Sequence, residues 1–242
     1  MRADKRRYTL GAGEVIDGRY MVVRPLGRGW EGQVFEAREV GTGAVRAVKI
    51  LRPDEEQTPE AIIRTAATWE RLSQTGAVSR YYGVGQFTHR QTFYFYLITE
   101  LLRGVRLDRW LRGAQQAVTF DQRAALKVVL AVAERLASVH RTGRALGDFS
   151  HGTNTIVLNA AGTDVRFCDF EPGCRGKPYR NYKDDLRELE QLADLAFRHR
   201  KRNGLYREAK KTFRRCLRRR SGPGVMAELA RGLKGLLGEG GR

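Results

Sequence analysis

The chain has 242 residues, 41% of them hydrophobic and 9% aromatic, enough to build a core and too many for a disordered chain. Lysine and arginine number 45 against 27 acids, a net charge of +18, so the surface favours phosphate-bearing or otherwise acidic partners, or is simply a basic solvated face. Three cysteines without metal-ligand spacing exclude a disulfide framework and a zinc site, and no run approaches 18 apolar residues, so a protein of the reducing cytoplasm without a membrane span is expected.

Positions 1–18 are read as an N-terminal extension. RYMVVRPL, QVFEAREV and AVRAVKIL follow, each β-rich and alternating, and the last two are separated by the turn signal GTG. Positions 19–51 therefore read as three consecutive antiparallel strands, with GRGWEG at the tip of the first hairpin. Its spacing is G-x-G-x-x-G-x-V, with glycines Gly27, Gly29 and Gly32 and then Val34. A dinucleotide-binding loop of similar spacing runs from a strand into a helix; this one runs from strand to strand. Lys49 lies in AVKIL on the third strand.

This pairing of a glycine-rich hairpin with a strand lysine resembles the glycine loop and V-A-I-K lysine of protein kinases. The resemblance implies an α+β, two-lobed protein-kinase-like fold, with a five-stranded antiparallel N-lobe and a reduced, mainly helical C-lobe. It divides the chain into lobe and hinge at 19–104 and C-lobe at 105–242. It implies ATP and Mg²⁺ as cofactors, with the amides of Gly27, Gly29 and Gly32 and the Lys49 ammonium on the phosphates and Val34 and Ala47 covering adenine.

AIIRTAATWERLSQ carries apolar residues at helical spacing where a kinase has its αC helix. The family's αC glutamate falls on Thr65 in this register; Glu60 or Glu70 could replace it, or the lysine is held otherwise. VSRYYGVGQF and QTFYFYLITE complete the five strands. ITELLRGV resembles the hinge, with Thr99 as gatekeeper and the backbone of Glu100 and Leu102 facing adenine.

FDQRAALKVVLAVAERLASVH has the apolar stripe of a long buried helix, matching αE. RALGDFSHGTNTIVLN and VRFCDFEPG come next. By resemblance Asp148 is the catalytic-loop aspartate that takes the acceptor proton, while Asn154 and Asp169 are metal ligands. The family's H-R-D is Leu146-Gly147-Asp148 here, its loop lysine is Ser150, Asn154 stands six residues after Asp148, and D-F-G is Asp169-Phe170-Glu171. Glycine before the aspartate and D-F-E also resemble aminoglycoside and choline phosphotransferases and the kinase domains of lanthipeptide synthetases. Three functions stay open: a small Ser/Thr protein kinase, a small-molecule kinase, or a pseudokinase serving as a nucleotide-gated binding module.

EPGCRGKPYRNYK is short, lacks A-P-E and holds no serine or threonine, so control by loop phosphorylation is not expected; Tyr179 and Tyr182 are read as packing residues. DDLRELEQLADLAF resembles αF, whose opening aspartate is Asp185, with Asp184 as competitor. From Phe197 to Arg220 there are 12 lysines and arginines against one acid. Leu205, Ala209, Phe213 and Leu217 give an amphipathic helix whose basic faces, within 198–220, could meet nucleic acid, an acidic protein or anionic lipid, or only water. The expected substrate is a protein with a Ser/Thr acceptor, or an acidic partner. SGPG ends that helix, and MAELARGLKGLL forms a final one.

Overall fold

The computed structural model describes residues 10–29, 31–53, 58–117, 119–147, 149, 152–170, 181–198, 204–219 and 221–238. Asp148, Ser150, Glu171 and Tyr179 lie outside the described residues, as do Trp30 and positions 199–203 and 220 of the basic stretch. The fold divides into two compact units, one of residues 1–67 and 80–101, the other of 68–79 and 102–242.

The first unit is built on an antiparallel sheet of order β1-β2-β3-β4-β6-β5. Its strands are β1 (Val15–Ile16), β2 (Tyr20–Arg28), β3 (Gly32–Glu39), β4 (Val45–Leu51), β5 (Tyr81–His89) and β6 (Thr92–Thr99). β2 to β6 are the five expected strands. β1 is an addition from the N-terminal extension: Asp17 and Gly18 turn the chain with positive φ, and Ile16 comes to face Tyr20.

Alternation explains the sheet's two faces. Phe35 pairs with Val48 and Val48 with Ile98, so all three share one face; with Ile16, Tyr20, Val22, Ala37, Ile50 and Tyr96 they form the core of this unit. Tyr96 reaches across that core to donate from its hydroxyl to Asp17 at 2.7 Å, and burial with that carboxylate pushes the phenol's pKa up. Gly85 makes room for the ring, since a Cβ there would lie 2.3 Å from it. The opposite face carries Val34, Ala47, Lys49, Leu97 and Thr99.

The second unit is mainly helical around a small antiparallel sheet, β7 (Val105–Arg106), β8 (Thr155–Val157) and β9 (Val165–Phe167). Its helices are α2 (Leu107–Ala114), α3 (Gln122–His140), α4 (Tyr182–Ala196), α5 (Gly204–Arg218) and α6 (Val225–Leu236). A further helix, Pro59–Ser73, here called αN, is shared by the two units. α3 is central, touching α4, α5, α6 and β9; Asp121 caps its start by accepting from the Ala124 amide at 2.8 Å. α4 starts with a capping box of Asn181 and Asp184. α5 buries Ala209, Thr212, Phe213 and Cys216, while Leu205 and Leu217 are only half-buried. Its inner stripe is thus rotated slightly from the four-residue repeat of the sequence. No helix among the described residues is long and apolar enough to cross a membrane.

Candidate active site

The glycine-rich stretch forms the closed end of the β2–β3 hairpin. Gly27 pairs with Val34 and Arg28 with Gln33, and the Gly29 amide donates to the Gly32 carbonyl at 2.9 Å. Gly32 lies against β4: a Cβ there would stand 2.0 Å from the Ile50 carbonyl oxygen, so no side chain fits. Arg52 ties the turn down, donating from its amide to the Glu31 carbonyl at 2.8 Å and from its guanidinium to the Gly29 carbonyl at 2.9 Å.

Lys49 pairs with Val34 on one side and Leu97 on the other. Its Nζ meets Glu31 Oε2 at 2.5 Å, with both side chains mostly buried. Of the two αN acids weighed for that role, Glu60 and Glu70, both are exposed, and Thr65 donates its hydroxyl to the Ala61 carbonyl. The glycine turn thus supplies a carboxylate to this lysine. At the end of β6, Thr99 is buried opposite Ala47, and the Glu100 amide is committed to the Arg80 carbonyl at 2.8 Å. Val34 and Leu102 are half-buried and Ala47 is buried.

In the second unit, β8 and β9 make a hairpin in which Thr155 faces Phe167. One step beyond, the Cys168 amide donates to the Asn154 carbonyl at 2.9 Å, which brings Asn154 beside the residue preceding Asp169. The Phe170 ring packs on Trp69, centroids 5.1 Å apart, and the Trp69 indole donates to the Ser79 carbonyl at 3.0 Å. Asn154 and Asp169 thus sit at one end of a hairpin fixed by an aromatic contact. Each side chain carries oxygen donors, the ligand type that suits Mg²⁺.

The backbone on both sides of Asp148 is clamped by α4. Asp185, fully buried, accepts from the amides of Leu146 and Gly147, each at 2.8 Å, and from His140 Nε2 at 2.7 Å. A carboxylate can only accept, so His140 donates from Nε2. One turn later Glu188, also buried, accepts from the Phe149 amide at 3.0 Å. Gly147 has φ of +67°, a left-handed conformation that glycine takes without strain. Between the two candidates for the helix-opening acid, the buried Asp185 holds the loop and Asp184 caps its own helix. Tyr182 opens α4 and packs its ring 4.7 Å from that of His140.

A model of the protein kinase domain matches residues 20–188, about seven-tenths of the chain. The chain belongs to the protein kinase domain family. It is 31% identical over 163 residues to a probable serine/threonine-protein kinase of Bifidobacterium longum, covering 65% of this chain and 20% of that one. A probable serine/threonine-protein kinase of Dictyostelium discoideum is 27% identical over 157 residues, covering 64% of this chain and 30% of that one. The chain thus spans under a third of the length of either relative. The crystal structure of the Mycobacterium tuberculosis PknI kinase domain has the same fold, with a TM-score of 0.66 at 19% identity over 95% of this chain and 100% of that one. A doubly substituted form of that domain gives 0.68 at the same identity.

The matched kinase region includes the glycine turn, Lys49, the Asn154–Asp169 hairpin and the Asp185 clamp. Sequence reasoning missed two carboxylates. Glu31 was hidden inside the glycine motif, where the x positions carry no expectation. Glu188 was hidden in a helix with four other acids, Asp184, Asp185, Glu190 and Asp194; its only signal was its place one turn after Asp185, on the same helical face.

Proposed function

We propose that this chain is the catalytic domain of an ATP- and Mg²⁺-dependent Ser/Thr protein kinase. The observation that carries the reading is the two-carboxylate clamp of α4 on the residues flanking Asp148. A buried acid that spends both oxygens on backbone amides belongs to a loop whose position matters, because burying such a charge without partners would be costly. The membership of the kinase family and the Ser/Thr kinase names of both relatives support the acceptor class.

The residues present fit the cofactors. The turn at Gly27, Gly29 and Gly32 leaves backbone close to any bound phosphate, and Gly32 has no room for a side chain. Lys49 supplies a cation beside that turn. Val34 and Ala47 offer an apolar surface to adenine, and the backbone of Glu100 and Leu102 offers its polar edge partners. Asn154 and Asp169 would hold Mg²⁺ through their side-chain oxygens, and the ion would supply positive charge to offset that of the triphosphate.

In this reading Asp148 orients the acceptor hydroxyl and receives its proton as the oxygen bonds to the γ-phosphorus and the bond to the bridging oxygen breaks. Asp185 and Glu188 hold the amides of Gly147 and Phe149, the chain neighbours of Asp148, and for a catalytic group an ångström of misplacement would cost on the order of a hundredfold. The segment 19–104 serves as N-lobe and hinge and 105–242 as C-lobe. Arg207, Lys211, Arg214 and Arg218 run along one exposed face of α5, within the basic stretch 198–220, and Arg207, Arg214 and Arg218 form no ion pair among the described residues. That face suits an acidic protein substrate, with nucleic acid as the other polyanion of matching chemistry.

The test is intact-protein mass after incubation with Mg·ATP and an acidic Ser/Thr substrate such as casein, wild type beside Asp148→Asn. Phosphoryl groups added by the wild type alone are the expected result. Transfer by neither protein would refute the kinase reading, and equal transfer by both would remove Asp148 from its role.

A further inference from the structure

Lys49 draws its carboxylate partner from the glycine-rich turn itself. The Glu31–Lys49 pair spans 2.5 Å, and the two side chains are 18% and 11% exposed, so water screens it little. The turn that carries Glu31 is pinned to the strand that carries Lys49: the Arg52 amide donates to the Glu31 carbonyl at 2.8 Å, and Gly32 lies against Ile50. Donor and acceptor therefore sit on hydrogen-bonded neighbouring segments of one sheet. A lysine stem has four rotatable carbons and loses much freedom when its ammonium is fixed, so an anchoring acid matters for aim as well as for charge. αN is differently equipped: Thr65 is occupied with its own helix backbone, and Glu60 and Glu70 are exposed.

We infer that Glu31 is the positioning residue for Lys49, so that aiming of the phosphate-binding amine depends on the glycine turn and not on an acid of αN. The inference rests on the reading of Lys49 as that amine. An ammonium has three N–H donors, and a carboxylate needs one, so holding Lys49 is compatible with its service to phosphate oxygens. The consequence is regulatory: activity follows the state of the turn and is indifferent to the acids of αN.

The experiment compares wild type, Glu31→Gln, and the double variant Glu60→Ala with Glu70→Ala. The first readout is the rate at which a water-soluble N-hydroxysuccinimide ester acylates Lys49 in nucleotide-free protein, followed by peptide mass. The second is steady-state phosphoryl transfer with kcat and KM for ATP separated. For Glu31→Gln, Lys49 acylation should rise about threefold or more as the amine loses its carboxylate, and kcat should fall about tenfold with KM within about threefold, the pattern of a lost aiming interaction. The double variant should match wild type in both readouts. Unchanged acylation in Glu31→Gln would overturn the inference. Faster turnover or a lower KM would overturn it too, since Glu31 would then be competing with the triphosphate for Lys49. Loss of kcat in the double variant would return the role to αN. If the wild type transfers no phosphate, the kinase reading fails by itself, and the acylation ratio still decides the pair: a threefold rise sustains it and equality overturns it.

Discussion

Asp185→Asn is the most informative single change in the second unit. The aspartate's Oδ2 serves His140 Nε2 at 2.7 Å and the Leu146 amide at 2.8 Å, while Oδ1 serves the Gly147 amide at 2.8 Å. Asparagine has nearly the same shape but one acceptor oxygen and one NH₂ group. With its oxygen at the Oδ2 position, the NH₂ confronts the Gly147 N–H; turned over, it confronts His140 and Leu146. At least one buried donor is orphaned, which costs about 1–3 kcal/mol, and the surviving bonds weaken from charge-assisted to neutral, about 1 kcal/mol each. The sum is about 3–5 kcal/mol, a large part of the roughly 5–15 kcal/mol that holds a domain folded. With a urea m-value of about 3 kcal/mol/M, the midpoint of the second unit falls by about 1–1.7 M. The assay is urea unfolding followed by tryptophan fluorescence, with amide exchange at Leu146 and Gly147 in native buffer. A midpoint shift under about 0.3 M with unchanged exchange at those two amides would show that the clamp carries no energy, and would refute the reasoning.

Four further outcomes are expected. Glu188→Ala leaves the Phe149 amide without its acceptor beside Asp148, so phosphoryl transfer should fall about tenfold, by the sensitivity of catalysis to placement, while thermal stability falls by about 1–3 kcal/mol as one buried donor is orphaned; unchanged kinetics would limit Glu188 to folding. Gly32→Ala places a Cβ 2.0 Å from a backbone carbonyl, so the β3–β4 edge must shift and ATP affinity, read by titration calorimetry, should fall at least tenfold. Tyr206 donates to Asp194 at 2.7 Å, and burial together with that carboxylate pushes its pKa from 10.0 up to about 12. The neutral phenol's contribution to the α4–α5 contact is therefore complete below pH 10 and lost as pH rises through about 12, and Tyr206→Phe should remove one late step from the absorbance titration at alkaline pH. Replacing Arg207, Arg214 and Arg218 together by glutamate should leave the melting temperature nearly unchanged, because all three are exposed, and should abolish salt-sensitive binding of an acidic peptide or an RNA.

What the sequence determined by itself was local. Alternation in QVFEAREV and AVRAVKIL specified strands, and because a strand's side-chain period is two, it also specified that Ala47 and Lys49 share a face opposite Val48, and Val34 a face opposite Phe35. The apolar run of α3 and the glycine spacing of the hairpin tip were equally legible, since each depends on residues a few positions apart. Tertiary structure alone decided which acids meet which donors. Glu31 and Lys49 are 18 positions apart and become neighbours only when β3 pairs with β4; Asp185 and Leu146, 39 apart, meet only when α4 packs beside α3. Asp184 and Asp185 are alike in sequence, and a rotation of about 100° along the helix separates them into a solvent-facing cap and a buried clamp. Likewise, the N-terminal extension gave no strand signal of its own, because β1 is two residues long and is held only by the register of Val15 and Ile16 on β2. Short-range pattern fixes which face a side chain takes, whereas a charge finds its partner only through the packing of elements distant in the chain.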